Sequence, residues 1–189
     1  MRLNGVNRDS SIYGFGVTYT IWTQGCTLNC PGCWNKHMHD PKGGYEITID
    51  NLVEDIQSSI IRYNVSEIAI LGGEPLQQLA SVVELMKRVK ALGLGIILYT
   101  GYERDEIDSS SKKQVLDYAD LLIAGRYKKE QRNITNHLYG SENQTIEYLT
   151  DRYNPKDIYN GTYVEIEINE DASMNVYGYP DDFVGGINA

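Results

Sequence analysis

Cysteine is scarce in this chain: there are three in 189 residues, and all of them fall in one short stretch, at Cys26, Cys30 and Cys33. So few thiols, odd in number and without a secretory leader, speak against a disulfide framework. Positive charge is short as well. Seventeen Lys and Arg against 26 Asp and Glu leave a formal charge of -9, which argues against electrostatic binding to nucleic acid or to an anionic membrane. No apolar run is long enough to cross a bilayer, and Met1-Arg2-Leu3-Asn4 leads into polar residues instead of a signal-peptide core. These absences describe a cytoplasmic protein whose partner is a protein or a small molecule. The sequons at Asn64, Asn133, Asn143 and Asn160 then read as chance matches. Phenylalanine is almost missing, with two residues against 15 tyrosines, and scattered tyrosines read as packing residues with hydroxyls at the surface. The length and the hydrophobic fraction of 41% suit one soluble unit with a proper core.

What is present centres on Gly25-Cys26-Thr27-Leu28-Asn29-Cys30-Pro31-Gly32-Cys33-Trp34-Asn35. Three thiols at this spacing can turn inward around one inorganic centre. A cubane of four irons held by three thiolates keeps one iron open to a ligand, which implies chemistry. Structural zinc is the other reading, with His37 or His39 completing a four-ligand site.

The remainder alternates between strand and helix signals. Val17, Tyr19 and Ile21 alternate with Thr18, Thr20 and Trp22 in a strand over residues 11–24 that runs into the cysteine loop. Asp50 can cap a helix with Leu52, Val53, Ile56, Ile60 and Ile61 on its apolar face. Glu67-Ile68-Ala69-Ile70-Leu71 is a buried strand stopping at Gly72-Gly73-Glu74-Pro75. A second helix with Leu79, Val82, Val83, Met86 and Val89 inward stops at Gly93. Gly95-Ile96-Ile97-Leu98-Tyr99 ends at Thr100-Gly101, a helical piece follows over 112–118, and Asp120-Leu121-Leu122-Ile123-Ala124 ends at Gly125. Such alternation predicts a parallel sheet with crossover helices, and ligands in such sheets bind at the carboxyl ends of the strands. All four loops fall there, which favours the open centre over zinc.

Residues 151–189 form an extension. Thr162, Val164, Ile166 and Ile168 alternate with Tyr163, Glu165, Glu167 and Asn169, then turn into Met174–Tyr177 as a hairpin. Two readings stand for it: cover for a sheet edge or barrel flank, or a docking surface for a partner. The polar, Gly-rich stretch 181–189 reads as loosely ordered.

Several stretches together resemble the radical S-adenosylmethionine enzymes and, within them, the activating proteins of anaerobic ribonucleotide reductase. They are Trp22-Thr23-Gln24-Gly25-Cys26, Cys33-Trp34-Asn35, His39-Asp40 with Gly43-Gly44, Gly72-Gly73-Glu74-Pro75-Leu76, Tyr99-Thr100-Gly101-Tyr102, Ala124-Gly125-Arg126-Tyr127 and Gly140-Ser141-Glu142-Asn143-Gln144. They span roughly residues 12 to 150 in family order. Where the family often has Gly-Pro-Gly with an arginine two residues on, this chain has Gly14-Phe15-Gly16-Val17-Thr18.

The resemblance implies an α/β fold, an open partial barrel of parallel strands over 1–150, with the C-terminal hairpin appended over 151–189. A complete barrel takes about 250 residues, so the substrate would enter laterally through the gap. It implies a 4Fe-4S cluster on Cys26, Cys30 and Cys33, with S-adenosylmethionine on the open iron. Gly72, Gly73 and Glu74 would hold the methionine amino end, Gly32 would meet the adenine and Thr100 the ribose. Reductive cleavage would then yield a 5'-deoxyadenosyl radical that takes hydrogen from a glycine of the partner reductase, with a donor such as flavodoxin and no acid-base residue. The alternatives are an activase of another glycyl-radical enzyme, a small peptide-modifying radical enzyme, or a non-catalytic zinc-binding interaction domain.

Overall fold

The computed structural model describes residues 1–133, 135–158, 161, 163–168 and 171–178. It opens with a strand that its composition conceals. β1 (Arg2–Ser10) has only Leu3 and Val6 as apolar side chains, and its antiparallel pairing with β2 (Thr18–Thr23) slips register twice, so no two-residue period survives. The strand expected over 11–24 is therefore shorter. Residues 11–17 form bends, because the buried Glu67 carboxylate accepts hydrogen bonds from the Phe15 N–H at 2.6 Å and the Gly16 N–H at 2.9 Å, holding this segment away from the ladder.

A short β3 (Tyr45–Glu46) pairs with β1, and α1 (Ile49–Tyr63) follows. Its cap is Thr48, whose hydroxyl accepts from the Asn51 N–H, while the expected cap, Asp50, sits in the first turn. Leu52, Val53 and Ile56 are buried as the periodicity requires, but Ile61 is 88% exposed and is not part of the inward face. β4 (Glu67–Gly72), α2 (Leu79–Ala91) and β5 (Gly95–Thr100) come next. Gly93, with φ of +79°, ends the second helix as its position foretold. The five-residue α3 (Arg104–Asp108) precedes a 3-10 turn over Ser111–Asp117, then β6 (Leu121–Ala124) and β7 (Thr145–Tyr148).

The seven strands form one sheet in the order β3-β1-β2-β4-β5-β6-β7. The all-parallel expectation is corrected here. β2, β4, β5 and β6 are parallel neighbours, but β1, β3 and β7 pair antiparallel at the two flanks. The polar sequences of these flanking strands carry none of the apolar signal that marks the four buried ones.

Alternate residues of the parallel strands enter separate cores. Tyr19, Ile21, Ile68, Ile70, Ile96, Leu98 and Leu122 pack with Leu52, Ile56, Val82, Leu85 and Met86 of the helices. Trp22, Ala69, Leu71, Ile97, Tyr99, Leu121 and Ile123 face the other way. Coil covers that second face, through Ile12, Tyr13, Leu138 and Tyr153. Tyr153, near the start of the extension, thus packs into this second core.

β8 (Val164–Ile168) and β9 (Met174–Gly178) form the expected hairpin, but as a sheet of their own. They do not extend the edge of the seven-stranded sheet. Thr162, Asn169 and the stretch 181–189, as well as the sequon residue Asn160, lie outside the described residues.

The Tyr153 hydroxyl donates to Glu67 at 2.8 Å in a buried setting. It links the extension to the root of β4. Tyr153→Phe should cost about 1.5–3 kcal/mol, the range for a hydrogen bond to a charged group. Urea denaturation would read this as a lowered midpoint at unchanged slope.

Candidate functional site

The loops that leave the parallel strands at their carboxyl ends line one cavity. Cys26, Cys30 and Cys33 follow β2, Gly72 ends β4 with Gly73 and Glu74 after it, Thr100 and Gly101 close β5, and Gly125 follows β6. The sequence-expected site residues therefore meet at one place, Gly32 excepted. Gly32 lies at the surface of the cysteine loop, where a Cβ would meet the Lys129 side chain at 2.8 Å.

Backbone hydrogen bonds hold the cysteine loop at its base. The Gly25 N–H donates to Met38 O at 2.8 Å, the Cys26 N–H to His39 O at 3.1 Å, and the Cys33 N–H closes a turn onto Cys30 O at 3.2 Å. Gln77 adds a two-way link to Thr27, accepting from its N–H at 3.1 Å and donating to its hydroxyl at 2.8 Å. The β4 loop binds directly to this base: the Gly73 N–H donates to Thr23 O at 2.8 Å and the Glu74 N–H to Gly25 O at 2.9 Å.

That contact explains the paired glycines. A Cβ on Gly73 would fall 2.5 Å from Gly25 O, and one on Gly72, whose φ is +112°, would clash with the Thr23 backbone. The family resemblance assigns these glycines to contact with the methionine amino end of a ligand. Here the close approach is between two segments of the chain itself.

Glu74 is 1% exposed. Its carboxylate accepts from the Leu76 N–H at 2.9 Å, the Thr100 hydroxyl at 2.8 Å and the Gly101 N–H at 2.7 Å. Burial pushes its pKa up to about 7, against the opposing pull of those hydrogen bonds and of Arg126. The Thr100 hydroxyl is thus engaged with Glu74, and it also accepts from the Tyr102 N–H at 3.1 Å.

Desolvation raises the pKa of the Cys26 and Cys33 thiols, partly offset by backbone hydrogen bonds. A cationic centre would reverse this and hold them as thiolates. His39 lines the same cavity, and its Nε2 is buried with no hydrogen-bond partner among the described residues. His37 is exposed and is not a lining residue. Among the described residues, no three His, Cys, Asp or Glu side chains form a group able to hold a metal ion.

Side chains outside the sequence-derived set complete the walls. Leu28, Leu71 and Tyr99 supply apolar surface, and Trp34, Tyr127 and Gln144 also face the cavity. Trp34 donates through Nε1 to the Tyr127 hydroxyl at 3.1 Å and lies beneath the Arg132 guanidinium at 4.8 Å. Gln144 donates to Gly125 O at 3.0 Å and accepts from the Gly140 N–H at 3.0 Å. Tyr99 could have been found as the side chain preceding a strand-end Thr-Gly. Gln144 lies in the Gly140–Gln144 stretch that carries the resemblance, and the antiparallel return of the chain brings it to this mouth.

The family model for the 4Fe-4S single cluster domain matches residues 12–147. The anaerobic ribonucleoside-triphosphate reductase-activating protein of Escherichia coli is 29% identical over 145 residues, which cover 73% of this chain and 92% of that protein. The proteins of the same description from Vibrio cholerae and Haemophilus influenzae are each 30% identical. Those matches cover 74% and 71% of this chain and 92% and 90% of the relatives.

A Glu74 pKa near 7 in the fold, against about 4.3 unfolded, means that the folded chain keeps a proton the unfolded chain has lost. Its contribution to stability therefore falls as pH rises from about 4.5 to 7. Glu74→Gln should gain roughly 3 kcal/mol relative to wild type across that window, at 1.36 kcal/mol per unit. Urea titrations of both cluster-free chains at a series of pH values check this.

Proposed function

Because the chain belongs to the 4Fe-4S single cluster domain family and, within it, to the anaerobic ribonucleoside-triphosphate reductase-activating proteins, we propose that it generates the glycyl radical of an anaerobic ribonucleotide reductase. The observation that carries this reading is the meeting of all three cysteines with the Gly72-Gly73-Glu74 turn in one cavity. Cys26, Cys30 and Cys33 would hold the cluster, and the donor set suits it. Three soft thiols suit a 4Fe-4S cluster and would leave one iron for S-adenosylmethionine. Of the two histidines that could complete a zinc site, His37 lies outside the cavity and His39 lines it, and it is the 4Fe-4S family match over residues 12–147 that favours the cluster. When bound, the cluster and S-adenosylmethionine supply the electron and the carbon-centred radical that removes hydrogen from a glycine of the reductase.

The chain's own residues bind, orient and exclude water. Glu74 would meet the ammonium of the methionine moiety, for which an anionic acceptor with spare lone pairs is suited. Thr100 would work through Glu74, since its hydroxyl already donates to that carboxylate. Gly32 would meet the adenine once the flexible Lys129 side chain gives way. Leu28, Leu71 and Tyr99 keep the cavity apolar around the reacting atoms. No side chain is needed to move a proton. The reading includes a cytoplasmic setting, a one-electron donor of the flavodoxin kind, a radical S-adenosylmethionine unit over 1–150 with partial-barrel curvature, and an extension over 151–189.

The test is anaerobic reconstitution with iron and sulfide, followed by reduction in the presence of S-adenosylmethionine. Wild type should turn brown and release 5'-deoxyadenosine, and Cys30→Ala should lose at least a hundredfold of that activity. A colourless protein that retains zinc and releases none would overturn the reading. A second expectation follows from Glu74. If the ammonium needs the ionised carboxylate, the Kd for S-adenosylmethionine should weaken up to tenfold per pH unit below about 7. Calorimetric titration of the reconstituted protein at several pH values measures this, and Glu74→Gln should bind weakly with a flat profile.

A further inference from the structure

The C-terminal hairpin is built inside out. Cross-strand neighbours Ile166 with Val176 and Ile168 with Met174 put these four side chains, together with Val164, on one face of the ribbon. Glu165, Glu167, Asn175 and Tyr177 occupy the other. An antiparallel sheet with one face on a protein body ordinarily turns its apolar face inward. Here two residues of the polar face, Glu165 and Tyr177, meet the body, while Glu167 and Asn175 nearer the turn are exposed. Glu165 accepts from Asn7 Nδ2 at 2.7 Å and the Ser11 N–H at 3.0 Å, and Tyr177 stacks on Trp22 with ring centroids 5.1 Å apart. Ile168, Ile166 and Met174 remain 71%, 49% and 40% exposed.

The inner side of the hairpin is linked to two walls of the cavity. The Gly178 N–H donates to the Tyr13 hydroxyl at 2.7 Å, and Tyr99, a cavity wall, donates through its hydroxyl to Tyr13 O at 3.3 Å. Trp22, beneath Tyr177, pairs in register with Leu71, another wall. The family match ends at residue 147, so the hairpin lies beyond the family domain.

We propose that the outward face of β8 and β9 is a docking surface for the partner reductase, seating it beside the cavity that its glycine must enter. The proposal rests on the function argued above. The size of the face selects the occupant. Two five-residue strands rising about 3.3 Å per residue and spaced about 4.8 Å apart present roughly 160 Å², against the ~800 Å² per partner of a stable interface. A second copy held by this face alone would fall far short. A reductase that must also cover the cavity mouth has the remaining area available. Asp171, in the turn that joins the two strands, stands at the end of the apolar stripe, so the matching surface should be apolar with a basic residue at that margin.

The experiment compares wild type with a variant carrying Ile166→Ser, Ile168→Ser and Met174→Ser, all exposed positions, both reconstituted with the cluster. 5'-Deoxyadenosine release without reductase should be unchanged, which shows that the variant is folded and loaded. Affinity for the anaerobic ribonucleotide reductase of the same organism, measured by interferometry, should fall at least tenfold, with a matching loss of glycyl-radical signal at subsaturating reductase. Affinity within twofold of wild type would overturn the proposal. So would wild-type self-association that the variant loses while reductase affinity holds, which would assign the face to a second copy. A chain ended after Gly178 that self-associates where the full chain does not would likewise overturn it, assigning the face to residues 179–189. Absence of 5'-deoxyadenosine from wild type would refute the radical function itself, and the binding comparison would still decide the docking surface.

Discussion

One buried carboxylate joins the parts of this site. Glu74 receives hydrogen bonds from Leu76, Thr100 and Gly101, so it ties the end of β5 to the turn that follows β4. The backbone of that turn is in turn fixed to Thr23 and Gly25 at the root of the cysteine loop. Three strand ends are thereby set relative to one another by neutral donors around one acidic group. Such an arrangement is poised, because the donors favour the ionised carboxylate while burial opposes it. A cationic ligand group arriving beside it would settle that balance without rearranging the loops.

The parts of the fold legible in the sequence are those whose environment repeats. The strands at Glu67–Gly72, Gly95–Thr100 and Leu121–Ala124 are buried on both faces, so they read as continuous apolar runs, and glycine or threonine marks their ends. The cysteine spacing and the Gly72-Gly73-Glu74 turn were likewise local. β1 and β7 were not legible, since their partners and not their own side chains make them strands. Glu67 shows the same limit. It reads as the first residue of a strand, yet its carboxylate also organises residues 15–18 and receives Tyr153 from far along the chain.

The hairpin marks a different boundary. Alternation in Val164–Ile168 and Met174–Gly178 is plain in the sequence and correctly forecasts two faces. Which face turns inward is not a property of alternation at all. It is set by two contacts of high sequence separation, Glu165 with the polar stretch Asn7–Ser11 and Tyr177 with Trp22. Those contacts turn the aliphatic residues outward, so the usual inference from an apolar face to a core fails here.

Charge is distributed with the same locality. The chain as a whole carries -9, yet cationic side chains gather about the cysteine loop. Lys129 lies over Gly32, Arg132 over the Trp34 ring, and Arg126 exerts its field on both Cys30 and Glu74. Arg126 is itself restrained by a two-pronged pairing with Glu106 and by the Tyr102 ring at 5.4 Å. A guanidinium fixed in this way keeps its charge at every accessible pH and presents it from a constant direction. It pulls the pKa of the buried Glu74 carboxyl down against the rise that burial imposes. An acidic protein can therefore gather three thiols at one place, because the relevant charge is that of the few residues around the loop.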